Sequence, residues 1–95
     1  MKQQLVREMV GREWYEYIPL GEFVVSAPGV CRGRPTFKYT RIEVAGVLER
    51  LAAGHDIEAL IIDSRGRLSR EAIAEAATLA AKALARQVTS RAGVT

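Results

Sequence analysis

One histidine, His55, and one cysteine, Cys31, stand alone of their kinds among 95 residues. Hydrolytic or redox chemistry needs a nucleophile with a base, a metal-ligand cluster, or a paired acid and base. His55 lies between Gly54 and Asp56, far from any second ligand in sequence, and reads more simply as a surface turn residue than as a base. Cys31 precedes Arg32, whose charge could lower the thiol pKa, but a small residue filling a turn is the plainer reading. Asp56 and Glu58 suit the start of a helix and Asp63 its solvent face. The run GRPTFKYT lacks the GxxxxGK[ST] spacing of a phosphate loop. The expectation is a protein without catalytic residues, metal ligands or a cofactor.

Arginine and lysine remain. The formal charge is +3 and the pI about 9.4, a lean towards nucleic acid or an acidic protein. The charge is banded along the chain. Arg32, Arg34, Lys38 and Arg41 form a basic stretch with Phe37 and Tyr39 interleaved. Glu43, Glu49, Asp56, Glu58 and Asp63 then face Arg50 alone, before Arg65, Arg67, Arg70, Lys82, Arg86 and Arg91 restore a positive sign. If the two basic bands meet in the fold, they make one patch. The nucleic-acid candidates are Arg65, Arg67, Ser69 and Arg70 at a turn, supplemented by Lys38 and Arg41, and by Arg32 and Arg34, from the first basic stretch. Cations of this kind contact the phosphate backbone more than they read bases.

The elements that must position these residues follow from periodicity. Leu5, Val6, Met9 and Val10 recur at i, i+1, i+4 and i+5, which predicts a short amphipathic helix within residues 1–12. Trp14 to Ile18 and Glu22 to Ser26 are aromatic and β-branched runs split by Pro19-Leu20-Gly21, hence a hairpin or bent strand pair. Ala27-Pro28-Gly29 and Gly33-Arg34-Pro35 are breaks, and Thr36 to Thr40 reads as an edge strand.

The period then turns helical. Val44, Val47, Leu48 and Leu51 form one stripe from Glu43, ended by Gly54. Thr40 and Glu43 have capping-box spacing, but the strand-like run before Glu43 favours Glu43 as the opening residue. Asp56 caps a second helix to about Asp63, and Ser69 caps a long third one with Glu71 in its first turn. Ala72, Ile73, Ala76, Leu79, Ala80, Ala83 and Leu84 give this helix a flat apolar face suited to another helix, in this chain or a second copy. Residues 57–63 and 69–86 around the turn at 63–69 fit a helix-turn-helix. Rotation about Ile73 places Glu71, Glu75 and Thr78 outward, where carboxylates would repel phosphate. No run approaches the roughly 18 apolar residues of a membrane span, and the start lacks a secretory core. With no disulfide possible, a cytoplasmic location is expected.

Gly29-Val30-Cys31, Gly33-Arg34-Pro35, Thr40-Arg41-Ile42-x-Val44 and Leu48-Glu49-Arg50-Leu51-Ala52-Ala53-Gly54, followed by Ile57-Glu58 and Ser69-Arg70-Glu71-Ala72-Ile73, together resemble the signature of domain-of-unknown-function family 433. The chain departs from it in lacking the Gly and Pro of the usual GTRIPV and the tyrosine-proline between the second and third helices. The resemblance implies an α+β fold, with short N-terminal strands as a hairpin before a three-helix, homeodomain-like helix-turn-helix unit. It divides the chain into an extension and first strand (1–22), the helix-turn-helix domain (23–88) and a flexible tail (89–95). By the same resemblance the chain would be a dimeric antitoxin that binds operator DNA and neutralises a PIN-like ribonuclease. Arg32, Arg34 and Arg41 would then be candidates for the acidic, metal-binding pocket of that toxin. The alternative is a homodimeric interaction module with no nucleic-acid role.

Overall fold

The computed structural model describes the backbone of residues 4–94 and the side chains of residues 4–88. An antiparallel meander of four strands comes first: β1 (Val6–Val10), β2 (Glu13–Pro19), β3 (Val24–Ser26) and β4 (Thr36–Phe37), in that spatial order. Three helices follow: α1 (Val44–Ala52), α2 (Ile57–Asp63) and α3 (Arg70–Val94). The α+β class expected from the sequence is therefore present.

The helix expected within residues 1–12 is instead a strand over its described part. Val10 pairs with Glu13 across a two-residue turn, Gly11-Arg12, in which Gly11 takes φ +63°. A tight hairpin turn needs that left-handed position, and glycine supplies it without steric penalty. Pairing with the aromatic-rich β2 then overrides a helical spacing too short to hold a helix alone. Residues 1–3 lie outside the described residues.

Strand β2 serves two neighbours in succession. Glu13 to Tyr17 pair with β1, while Ile18 and Pro19 pair with Ser26 and Val25 of β3. Alternation along β3 then divides the core. Val24 packs with Phe37, Val44, Val47, Leu60, Leu68, Ala72, Ile73 and Ala76 on the helical side. Val25 faces the other way, onto Tyr17 and Ala27. The two-residue period of a strand makes both clusters from one short segment.

Strand β4 is shorter than the Thr36–Thr40 run expected, because the chain turns at Lys38. Helix α1 opens after Glu43, whose backbone is extended (φ −76°, ψ 137°), and Gly54 follows its end at φ +99°. Asp56 and Asp63 bound α2 as the sequence reading places them, although the Asp56 side chain makes no capping bond. Ser69 does cap α3: its Oγ accepts from the Ala72 amide at 3.1 Å.

Helix α3 divides in two. Ala72, Ile73 and Ala76 are buried and Leu79 half-buried, but every side chain from Ala80 to Val88 is exposed. Within this chain the expected apolar face is covered as far as Leu79, and Ala80, Ala83 and Leu84 are left exposed. At 25 residues α3 is about 37 Å long, and its free half stretches the molecule to 50 Å. A radius of gyration of 14.8 Å exceeds the roughly 12 Å of a compact globule this size.

Candidate nucleic-acid interface

Lys38, Tyr39 and Thr40 form the turn between β4 and α1. Thr40 ties it down: its amide and Oγ1 both donate to the Phe37 carbonyl (3.0 and 2.8 Å), and Oγ1 accepts from the Ile42 amide at 3.0 Å. Within this turn Tyr39 takes φ +67°, a left-handed conformation that bulky residues seldom adopt. Three contacts hold it there. The Tyr39 amide donates to the Tyr15 hydroxyl at 3.0 Å. The Tyr39 hydroxyl donates to Glu8 Oε1 at 2.7 Å, and the Tyr15 ring lies 5.3 Å away. Tyr17 donates to the second oxygen of Glu8, also at 2.7 Å. Lys38 Nζ stands 5.0 Å from the Tyr17 ring and 5.1 Å from the Tyr39 ring, within cation–π range.

These contacts set the local electrostatics. Hydrogen bonds from Tyr39 first, and then Tyr17, hold the Glu8 carboxyl below its ordinary value. The Tyr39 hydroxyl is pushed up chiefly by its bond to Glu8. Lys38 is pushed up chiefly by the Tyr17 hydroxyl, so its cationic form is favoured.

The second basic stretch is the turn from α2 into α3. Arg65 (φ +58°) and Gly66 (φ +80°) are successive left-handed residues. Buried Ser64 organises them, its Oγ donating to the Ile61 carbonyl at 2.7 Å and accepting from the Leu68 amide at 3.0 Å. Arg67 then reaches back, Nε donating to the Ser64 carbonyl at 3.1 Å.

The fold brings part of the expected set together. Lys38, Tyr39, Arg67 and Ser69 border one groove of about 440 Å³. Tyr39, Arg41 and Arg67 border a second of about 370 Å³. Tyr39, 54% exposed, and Arg67 are common to both, so the two grooves meet at this pair. Glu22 also lines the first groove and moderates its charge.

Other candidates are engaged elsewhere. Arg70 is ion-paired with Glu58, and Arg34 makes a two-point contact with Glu43 at 2.8 and 3.3 Å. That contact holds Glu43 below its usual carboxyl range. The Ser69 hydroxyl is occupied as a helix cap. Arg65 is exposed in its turn, and Arg32 is exposed at φ +57° within the 3-10 turn Cys31–Gly33.

Glu75 does not point outward as expected. Its carboxylate accepts from three consecutive amides of the β2–β3 loop: Glu22 at 2.8 Å, Phe23 at 2.7 Å and Val24 at 3.1 Å. A row of amides around one carboxylate is an anion nest built from the chain's own residues. The approach is close enough that a Cβ on Gly21 would stand 2.6 Å from Glu75 Oε1. Of the two carboxylates expected outward, Glu71 alone remains as the exposed carboxylate of the first turn.

Among the described residues, no group of three or more His, Cys, Asp or Glu side chains is placed to hold a metal ion. Sequence reasoning passed over Glu8, Tyr15 and Tyr17, which shape the site from the hairpin. Their alternate spacing along two strands was the available signal, obscured by the helical reading of residues 1–12.

A family model described as "protein of unknown function (DUF433)" matches residues 24–80, from β3 through the packed half of α3. The chain belongs to the DUF433 family. The DUF433 match includes Lys38, Tyr39, Arg41 and Arg67, while the latching hairpin β1–β2 precedes it. No curated protein and no solved structure matches the chain.

Proposed function

We propose that this DUF433 chain is a non-enzymatic, antitoxin-like regulator, with a homeodomain-like helix-turn-helix formed by α1, α2 and α3. Its operator DNA would run along the face bearing Lys38, Arg41 and Arg67. The observation that carries the DNA half is convergence: cations from two stretches 26 or more residues apart flank one fixed, exposed tyrosine. A rigidly held basic surface suits backbone contact, because phosphates need positioned charge more than base-reading side chains. Glu75 is turned into its amide nest rather than out towards solvent, which supports such docking.

The protein half of this reading is neutralisation of a PIN-like ribonuclease, whose clustered carboxylates and metal an arginine can engage. Arg34 is committed to Glu43, which leaves Arg32 and Arg41 as the arginines of that stretch for this role. A homodimeric module without nucleic-acid binding is the competing reading. It loses the outward Glu75 that motivated it and retains the exposed alanines of α3.

The test is retardation of the DNA upstream of the gene, measured across salt concentration. Lys38→Ala, Arg41→Ala and Arg67→Ala should each weaken binding and reduce the salt slope by about one. Arg70→Ala should have a smaller effect, since Glu58 already neutralises it. No retardation by the intact protein at low salt would end the DNA reading. Co-expression with adjacent nuclease-like frames tests the other half, and recovery of no complex would count against it.

A further inference from the structure

The free half of α3 is bordered by a groove of about 270 Å³. Leu20, Pro35 and Val44 form one wall, and Leu79, Ala80 and Ala83 of α3 the other, with Arg86 at its rim. Alanine at 80 and 83 lets another backbone approach closely, and Leu84 continues the apolar surface at 62% exposure. An apolar groove continuous with an exposed helix face marks a protein-docking surface rather than a solvated one.

Charge selects the occupant. Beyond Glu75 the sequence contains no acidic residue, and the described charged side chains of this half are Lys82 and Arg86, both exposed. A second copy packed through the same face would bring Lys82 and Arg86 towards their own equivalents with no acid from this segment to neutralise them. We infer that this groove receives an amphipathic segment of another protein, apolar along one side and acidic along the flank that meets Lys82 and Arg86. The inference deepens the protein-partner half of the proposed function and is independent of its DNA half. It adds to the Arg32 and Arg41 contacts a second partner contact on α3, away from the pair Tyr39 and Arg67.

A fluorescein-labelled model helix with leucines at i, i+3, i+4 and i+7 and glutamates elsewhere is the probe. A leucine–lysine helix of the same pattern and a random DNA duplex are the comparators. Anisotropy with the full chain should rise for the acidic helix and not for the basic one. Ala83→Arg, an exposed substitution that fills the groove, should weaken this binding by about tenfold or more, as loss of a central interface contact does. Lys82→Glu with Arg86→Glu should reverse the preference to the basic helix. Lys38→Ala and Arg67→Ala should leave helix binding unchanged while lowering DNA retardation, so failure of the DNA reading cannot imitate failure of this one. Equal binding of the two helices, or binding of neither, would overturn the inference. So would a sedimenting dimer that Ala83→Arg converts to monomer, because a second copy would then own the face.

Discussion

Thr36 is fully buried, and its Oγ1 has no hydrogen-bond partner among the described residues. A buried hydroxyl left unpaired loses its hydration without compensation, so the isosteric Thr36→Val should stabilise the fold by up to about 1 kcal/mol. Thermal unfolding checks this, and a lowered midpoint would contradict it. Glu75 is the opposite case, a charged acceptor for three amides. Glu75→Ala should cost about 2–3 kcal/mol, measured by denaturant unfolding, because bonds to charged acceptors are the stronger ones. Sequence periodicity could not reveal this role. A helical wheel orders residues by angle, and 200° from Ile73 looks like solvent until the β2–β3 loop is known to cover it. The ion pairs of Arg34 and Arg70 were hidden for a related reason: their partners, Glu43 and Glu58, lie in the band that separated the two basic stretches.

At the scale of elements, α1, α2 and the start of α3 were legible because each has its own stripe and stop signals. Glu43, Gly54, Asp56 and Ser69 mark their boundaries, with Ser69 alone of the three cap residues making a side-chain capping bond. The hairpin was not legible because β1 gains its conformation from β2 rather than from its own pattern. Its contact with the family-matched region runs through Glu8, Tyr15, Tyr17 and Tyr39, which makes it pH-sensitive. The Glu8 pKa is depressed in the fold, so its contribution is present above the unfolded value near 4.5 and is lost as pH falls through the folded value. Amide exchange in β1 should therefore accelerate, relative to α1, as pH falls below the unfolded value near 4.5. Glu8→Gln should show faster β1 exchange at neutral pH and little further change on acidification. Tyr39 works at the other extreme: its raised pKa means that its contribution is lost only as pH rises through a folded value above 10.0.

Across the whole molecule, the core and the exposed half of α3 that borders the proposed docking groove are segregated. The two core clusters engage β2 to β4, α1, α2 and the first turns of α3, whereas residues 80–88 contribute exposed side chains. Ending the chain after Ala85 should change unfolding free energy by less than about 1 kcal/mol, since the described side chains it removes, Arg86 to Val88, are all exposed. The proposed DNA face survives that truncation, while part of the groove beside α3 does not.

The Glu75 nest also has a kinetic meaning. It joins backbone positions 51 to 53 residues apart in sequence, a closure that must wait until the chain has brought its two ends of the domain together. A contact that closes after the rate-limiting step of folding belongs to what must break for unfolding. Glu75→Ala should thus leave the refolding rate almost unchanged and multiply the unfolding rate, which makes one side chain of α3 the clasp that governs how long the fold persists.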